Sequence, residues 1–163
     1  MTGAIMAIDP GTTQSGWCLL EGGTVTASGV AENQALLSRL SSEPAGHTLA
    51  IEMIASYGMA VGREVFETCV WIGRFIQAWP EPDAVCLIYR RDVKLHLCGN
   101  NRANDSHVRQ ALLDMFPRTG GGKRPQIGTK KQPGPLFGVS SHAWPALGVA
   151  ITLAQGGAHA RLA

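Results

Sequence analysis

Apolar positions in the first third of the chain come in short runs closed by turn residues, the pattern of buried strands. Ala4–Ile8 runs into Asp9-Pro10-Gly11, and Gly16–Leu20 and Thr24–Val30 flank Glu21-Gly22-Gly23, which predicts a hairpin beside a first strand. Asn33–Leu40 has helical spacing, with Leu36, Leu37 and Leu40 on one face, and Thr48–Ile51 is another strand ending on Glu52. Residues 61–79 form the longest helix-compatible stretch, apolar over much of its circumference, so it lies in the core or against a partner chain. Pro80-Glu81-Pro82 ends it, and Ala84–Tyr89 supplies a fifth strand. Short helices are expected around Asp92–Leu97 and Ser106–Phe116, the second capped by Asp105. Residues 117–138, rich in glycine and proline with five basic side chains and no acid, read as a long flexible basic loop. A last helix, His142–Leu153, and a frayed tail, Gly156–Ala163, complete the chain. The order predicts one α/β domain over residues 1–163, a mixed five-stranded sheet flanked by helices.

Composition narrows the function classes. The 163 residues suffice for one full core, and no apolar run approaches the ~18 residues of a membrane span. The N-terminus lacks the basic-then-apolar pattern of a secretory signal. Cys18, Cys69, Cys86 and Cys98 show no CxxC spacing, so reduced thiols and a cytoplasmic location are expected. Net charge is only +2, yet ten of the fourteen basic residues lie between Arg90 and Lys131, opposed by Asp92, Asp105 and Asp114. That asymmetry suits a polyanion such as nucleic acid.

Asp9 stands at the end of a buried strand, where α/β sheets place their chemistry and where a carboxylate needs a donor or a cation. It either caps its own turn or meets a partner. Glu52 ends another strand that this topology can set alongside. Two carboxylates that meet cannot both ionise cheaply without a cation, and oxygen ligands favour Mg²⁺ or Mn²⁺. Two such ions can clamp the attacking and leaving oxygens of a phosphodiester.

With Ile8-Asp9-Pro10-Gly11, Gly16-Trp17, Ile51-Glu52, Val93-Lys94 before Gly99, and Ala146–Thr152 on the last helix, the chain resembles RuvC-type Holliday junction resolvases, most of all the short RuvC-like endonucleases of phages and prophages. The resemblance spans nearly the whole sequence. It implies an RNase H-like fold, a homodimer through helix 61–79, and metal-dependent nicking of four-way and other branched DNA. It makes Asp9 and Glu52 metal ligands and matches His142 to a functional position of the last helix, as ligand or general acid–base. Three residues further on, where the family usually has Asp, stands Pro145. Asp105 is then the one nearby replacement carboxylate, unless it serves only as an N-cap. For DNA contact the candidates are Lys94, Arg102, Arg109, Lys123, Arg124, Lys130 and Lys131, with Lys94 and Arg102 placed as in the family. Tyr57 lies where resolvases wedge the junction open, as does Phe66, whose alternative is core or dimer packing. Rival readings are a junction-binding protein without catalysis, and a related nuclease for flaps or structured RNA. The Asp9–Gly16 segment also resembles the first phosphate loop of actin-like ATPases, but the chain is too short for their second domain.

Overall fold

The structure is a computed structural model and describes residues 3–161. Its elements are β1 (Ile5–Asp9), β2 (Gln14–Glu21), β3 (Thr24–Glu32), α1 (Asn33–Leu40), β4 (Thr48–Met53), α2 (Arg63–Ala78), β5 (Cys86–Tyr89), α3 (Arg90–Cys98), α4 (Asp105–Met115), α5 (Ala143–Ala154) and β6 (Ala160–Arg161). They build one sheet in the order β3-β2-β1-β4-β5-β6. The pairs β1–β2 and β2–β3 are antiparallel, β1–β4 and β4–β5 parallel, and β5–β6 antiparallel. This is the expected mixed α/β sheet with a sixth strand added. The tail expected to fray instead places Ala160 and Arg161 opposite Leu87 and Cys86, because β5 is otherwise an open edge with unpaired backbone groups. Leu162 and Ala163 lie outside the described residues.

Period-two alternation divides the core between two layers. Met6, Ile8, Leu49 and Ile51 pack toward Leu36 and Leu40 of α1 and Ile72 and Phe75 of α2. Ala7 and Ala50 face the other way, toward Val93, Leu112 and Leu147 on α3, α4 and α5. Asp9 follows Ile8 and Glu52 follows Ile51, so both acids project on the α3–α4–α5 side. The β1–β4 register, Ile8 beside Ile51, sets them at neighbouring strand ends.

The long helix α2 buries only one stripe, Thr68, Ile72 and Phe75. Phe66 is 62% exposed and Val70 63%, so Phe66 is not a core residue. Between Met115 and Ala143 there is no helix or strand. The backbone there is nonetheless tied to itself: the amides of Gly120, Gly121, Gly134 and Leu136 donate to the carbonyls of Pro125, Gln132, Ile127 and Gln126. A Cβ on Gly120 would sit 2.7 Å from the Cα of Gly128, which explains a glycine there, and Leu136 is fully buried. No helix among the described residues is long and apolar enough to cross a membrane.

Candidate active site

Asp9 closes β1 opposite Gly16 of β2. The turn after it is held from below. Asn33 Nδ2 donates to the Gly11 carbonyl (2.9 Å), Ser15 Oγ donates to Asn33 Oδ1 (2.6 Å), and the Gly11 amide donates to Ser15 Oγ (3.1 Å). Ser15 and Asn33 are both buried, and neither stood out in the sequence as part of the site. A short polar residue opening a helix signals only a cap until the turn it grips is known.

Gly16 is needed for a steric reason. A Cβ at this position would overlap the carbonyl oxygen of His142, where the chain enters α5 across the sheet. Gly16→Ala is therefore expected to displace His142 from Asp9, with a loss of ~1–3 kcal/mol in thermal denaturation and a parallel fall in activity.

Burial pushes the Asp9 carboxyl up to about 6, with the charges of Arg90 and His142 opposing and that of Asp105 adding to the shift. Burial likewise pushes Glu52 up to about 7, reinforced by Asp9 and opposed by Arg90 and Lys94. Asp9 thus raises the cost of ionising Glu52, as expected where two carboxylates stand at neighbouring strand ends.

The positive charge at hand is Arg90, the first residue of α3 and previously counted only among the basic residues. Its Nη1 lies 3.5 Å from Glu52 Oε1, and its Nη2 donates to Asp105 Oδ1. Only the topology reveals this role, because β5 delivers Arg90 beside the end of β4. Asp105 is not the cap of α4. Asn104 caps it, its Oδ1 accepting from the His107 amide (3.0 Å) while its own amide donates to His107 Nδ1 (3.4 Å). Asp105 is the first helical residue, exposed and engaged by Arg90. His142 immediately precedes α5, and Pro145 falls in its first turn, where a missing N–H breaks no helical bond.

The donor set fits a hard divalent cation at Asp9 and Glu52, two carboxylates at neighbouring strand ends that Arg90 balances only in part. Among the described residues, no three His, Cys, Asp or Glu side chains come together as a ready metal cluster. The third acid is held by a guanidinium, and position 145 carries none.

The expected DNA contacts fall into three places. Lys94 and Arg109 line a groove that also reaches Glu52, Arg90 and Asp105. Arg102 shares a shallow depression with Tyr57, Arg91 and Asn101. Tyr57 is exposed at the tip of a turn with φ +49°, the one non-glycine residue at positive φ among the described residues, and Arg91 lies over its ring. Lys123, Arg124, Lys130 and Lys131 are exposed on the 117–138 segment.

No protein-family model matches this sequence, and no curated protein does. Solved structures do. Thermus thermophilus RuvC superposes with a TM-score of 0.62 at 18% identity, over 96% of this chain and 99% of that one. The same protein in complex with a Holliday junction substrate gives 0.62 and 18%, over 97% and 99%. At this identity the likeness establishes architecture. The chain has a RuvC-like, RNase H-like fold over nearly its whole length, with Asp9 and Glu52 at the ends of its central strands.

Proposed function

We propose that this protein is a metal-dependent endodeoxyribonuclease that resolves four-way junctions and other branched DNA by paired nicks. The observation that carries this reading is the pair of acids at neighbouring strand ends, half-buried Asp9 and buried Glu52, on a fold shared with a RuvC that has been solved on a Holliday junction. Asp9 and Glu52 would hold Mg²⁺ or Mn²⁺, which when bound polarises a phosphodiester and acidifies water. The remaining work falls to this chain's own side chains. Arg90 and Lys94 balance the charge of the entering phosphate. His142, beside Asp9, takes the proton of the attacking water as its oxygen bonds to phosphorus. The P–O bond to the leaving strand then breaks, and that oxygen is protonated from solvent. Arg102, Tyr57 and the basic 117–138 segment bind the arms through phosphate contacts.

Paired nicking requires two copies, and the outward face of α2 suits a second copy of the chain. Phe66 and Val70, one turn apart, are exposed there, and Met59 just before the helix is 72% exposed. The double substitution Phe66→Glu, Val70→Glu should yield a monomer by sedimentation and convert paired cuts into single nicks. A dimer of unchanged mass would place the interface elsewhere.

Pro145 and the engagement of Asp105 by Arg90 favour a second reading, a junction-binding protein without catalysis. The deciding experiment is incubation of a labelled four-way junction with Mg²⁺ or Mn²⁺ across pH 6–9. Metal-dependent nicks support the nuclease, and tight binding with no cleavage under any condition refutes it. Competition with flap, duplex and RNA substrates then sets selectivity.

A further inference from the structure

Phosphodiester hydrolysis by a pair of metal ions sets two cations about 4 Å apart, one for the attacking oxygen and one for the leaving oxygen. Each ion needs oxygen ligands. Asp9 and Glu52 supply one set. The groove beside them offers little for a second. Trp144 and Pro145 line it at the first turn of α5, and the one acid on its wall besides Glu52 is Asp105.

That acid is taken. Arg90 Nη2 donates to Asp105 Oδ1 and Nη1 lies 3.5 Å from Glu52 Oε1, so one planar fork spans both carboxylates. Met53 pairs with Tyr89, and the chain passes from β5 straight into α3, which sets Arg90 just beyond the end of β4. The guanidinium thus stands where an ion shared by Glu52 and Asp105 would sit. Its side chain is 45% exposed and faces the groove, so a phosphate can reach it. Charge points the same way. Asp9, Glu52 and Asp105 carry three negative charges and Arg90 one positive, a deficit that a single divalent ion closes. A second divalent ion would have to settle beside the guanidinium, against its charge.

We infer that the site takes one divalent ion, at Asp9 and Glu52, and that Arg90 fills the second cationic position as a catalytic residue. The inference rests on the nuclease reading and deepens it. A guanidinium stays protonated and has no acceptor, so it can neither acidify water nor take its proton. It can donate two hydrogen bonds to the scissile phosphate, and it stabilises the oxygens that gain negative charge as the P–O bond breaks. The Asp105 side chain is 77% exposed, so water weakens its hold on Arg90 and an entering phosphate can replace it.

The experiment counts bound Mn²⁺ by calorimetry and electron paramagnetic resonance, on the protein alone and on its complex with a pre-nicked four-way junction. The DNA alone serves as blank. Two ions about 4 Å apart couple their spins and a lone ion does not, a readout independent of turnover. Wild type should hold one uncoupled ion per chain in both states. Arg90→Ala frees Asp105 and should admit a second, weaker ion. The double substitution Arg90→Ala, Pro145→Asp adds a carboxylate to the same wall and should bind that second ion about tenfold more tightly, as a coupled pair. An acid in the first turn of α5 also suits the helix, and thermal denaturation confirms that both variants fold. Junction cleavage should rise with the first power of Mn²⁺ concentration in wild type and with the second power in the double variant. A coupled pair in wild type overturns the inference and leaves the nuclease intact. A single ion in both variants does the same, because Arg90 is then not what excludes the second. A wild type that binds no ion and cuts no junction removes the nuclease reading and this inference with it.

Discussion

Asp9→Asn is expected to abolish junction nicking, a loss of about a thousandfold or more, while making the metal-free protein more stable above pH 7. The two effects share one cause. In the folded chain Asp9 holds its proton up to about 6 and Glu52 up to about 7, whereas their ordinary values are 3.8 and 4.5. The folded state therefore binds these protons more tightly than the unfolded state does. The stability contributed by the pair is complete below about pH 4 and is lost as the pH climbs through 6 and 7. A divalent cation would restore it by replacing the missing positive charge, and Asn restores it by removing one negative charge. Denaturation of metal-free wild type at pH 5 and pH 8 should show the decline, and Asp9→Asn should flatten it. Equal pH dependence in the two proteins would mean that the acids are not a coupled pair.

Arg90→Ala should lower cleavage about a hundredfold and change the response to metal. Arg90 is the cation that the Glu52 carboxylate meets in the absence of a metal, and it also engages Asp105. Its side chain is 45% exposed, so water screens the ion pair and its loss costs the metal-free fold only about 1 kcal/mol. Catalysis suffers more, because a phosphate entering beside two or three acids loses the guanidinium that balances their charge. Added Mn²⁺ should raise the melting temperature of Arg90→Ala more than that of wild type, since the ion then replaces the charge that the guanidinium supplied. Arg90→Lys should regain part of the activity but not the double engagement, because an ammonium cannot reproduce the planar fork. Identical Mn²⁺ shifts in wild type and Arg90→Ala would show that Arg90 and the metal do not act on the same carboxylates.

These predictions treat the site as a balance between acids and a resident cation, which differs from the expectation of two ions among four protein ligands. Asp105 was identified by its charge and its place before a helix. The structure separates those two properties: Asn104 takes the cap, which leaves the Asp105 carboxylate to Arg90. Phe66 was similarly ambiguous, because apolar spacing on 61–79 is compatible with burial on any side. Only packing against β1 and β4 selects Ile72 and Phe75 as the inner stripe and leaves Phe66 and Val70 outside.

By itself the sequence determined the strand and helix order, the strand-end positions of Asp9 and Glu52, and the uneven charge of the two halves. These are local properties, set by hydrophobic period, turn residues and the strong tendency of short apolar runs to pair as buried strands. Tertiary structure alone decided that both acids share one face at neighbouring strand ends, that Arg90 reaches Glu52, and that His142 passes over Gly16. It also opened the groove at Trp144 and Pro145 and recruited the tail as a sixth strand. The physical reason is distance along the chain. Electrostatic pairing and steric exclusion act between residues tens of positions apart, and their partners are chosen by strand register and helix packing, which no local pattern of residues specifies.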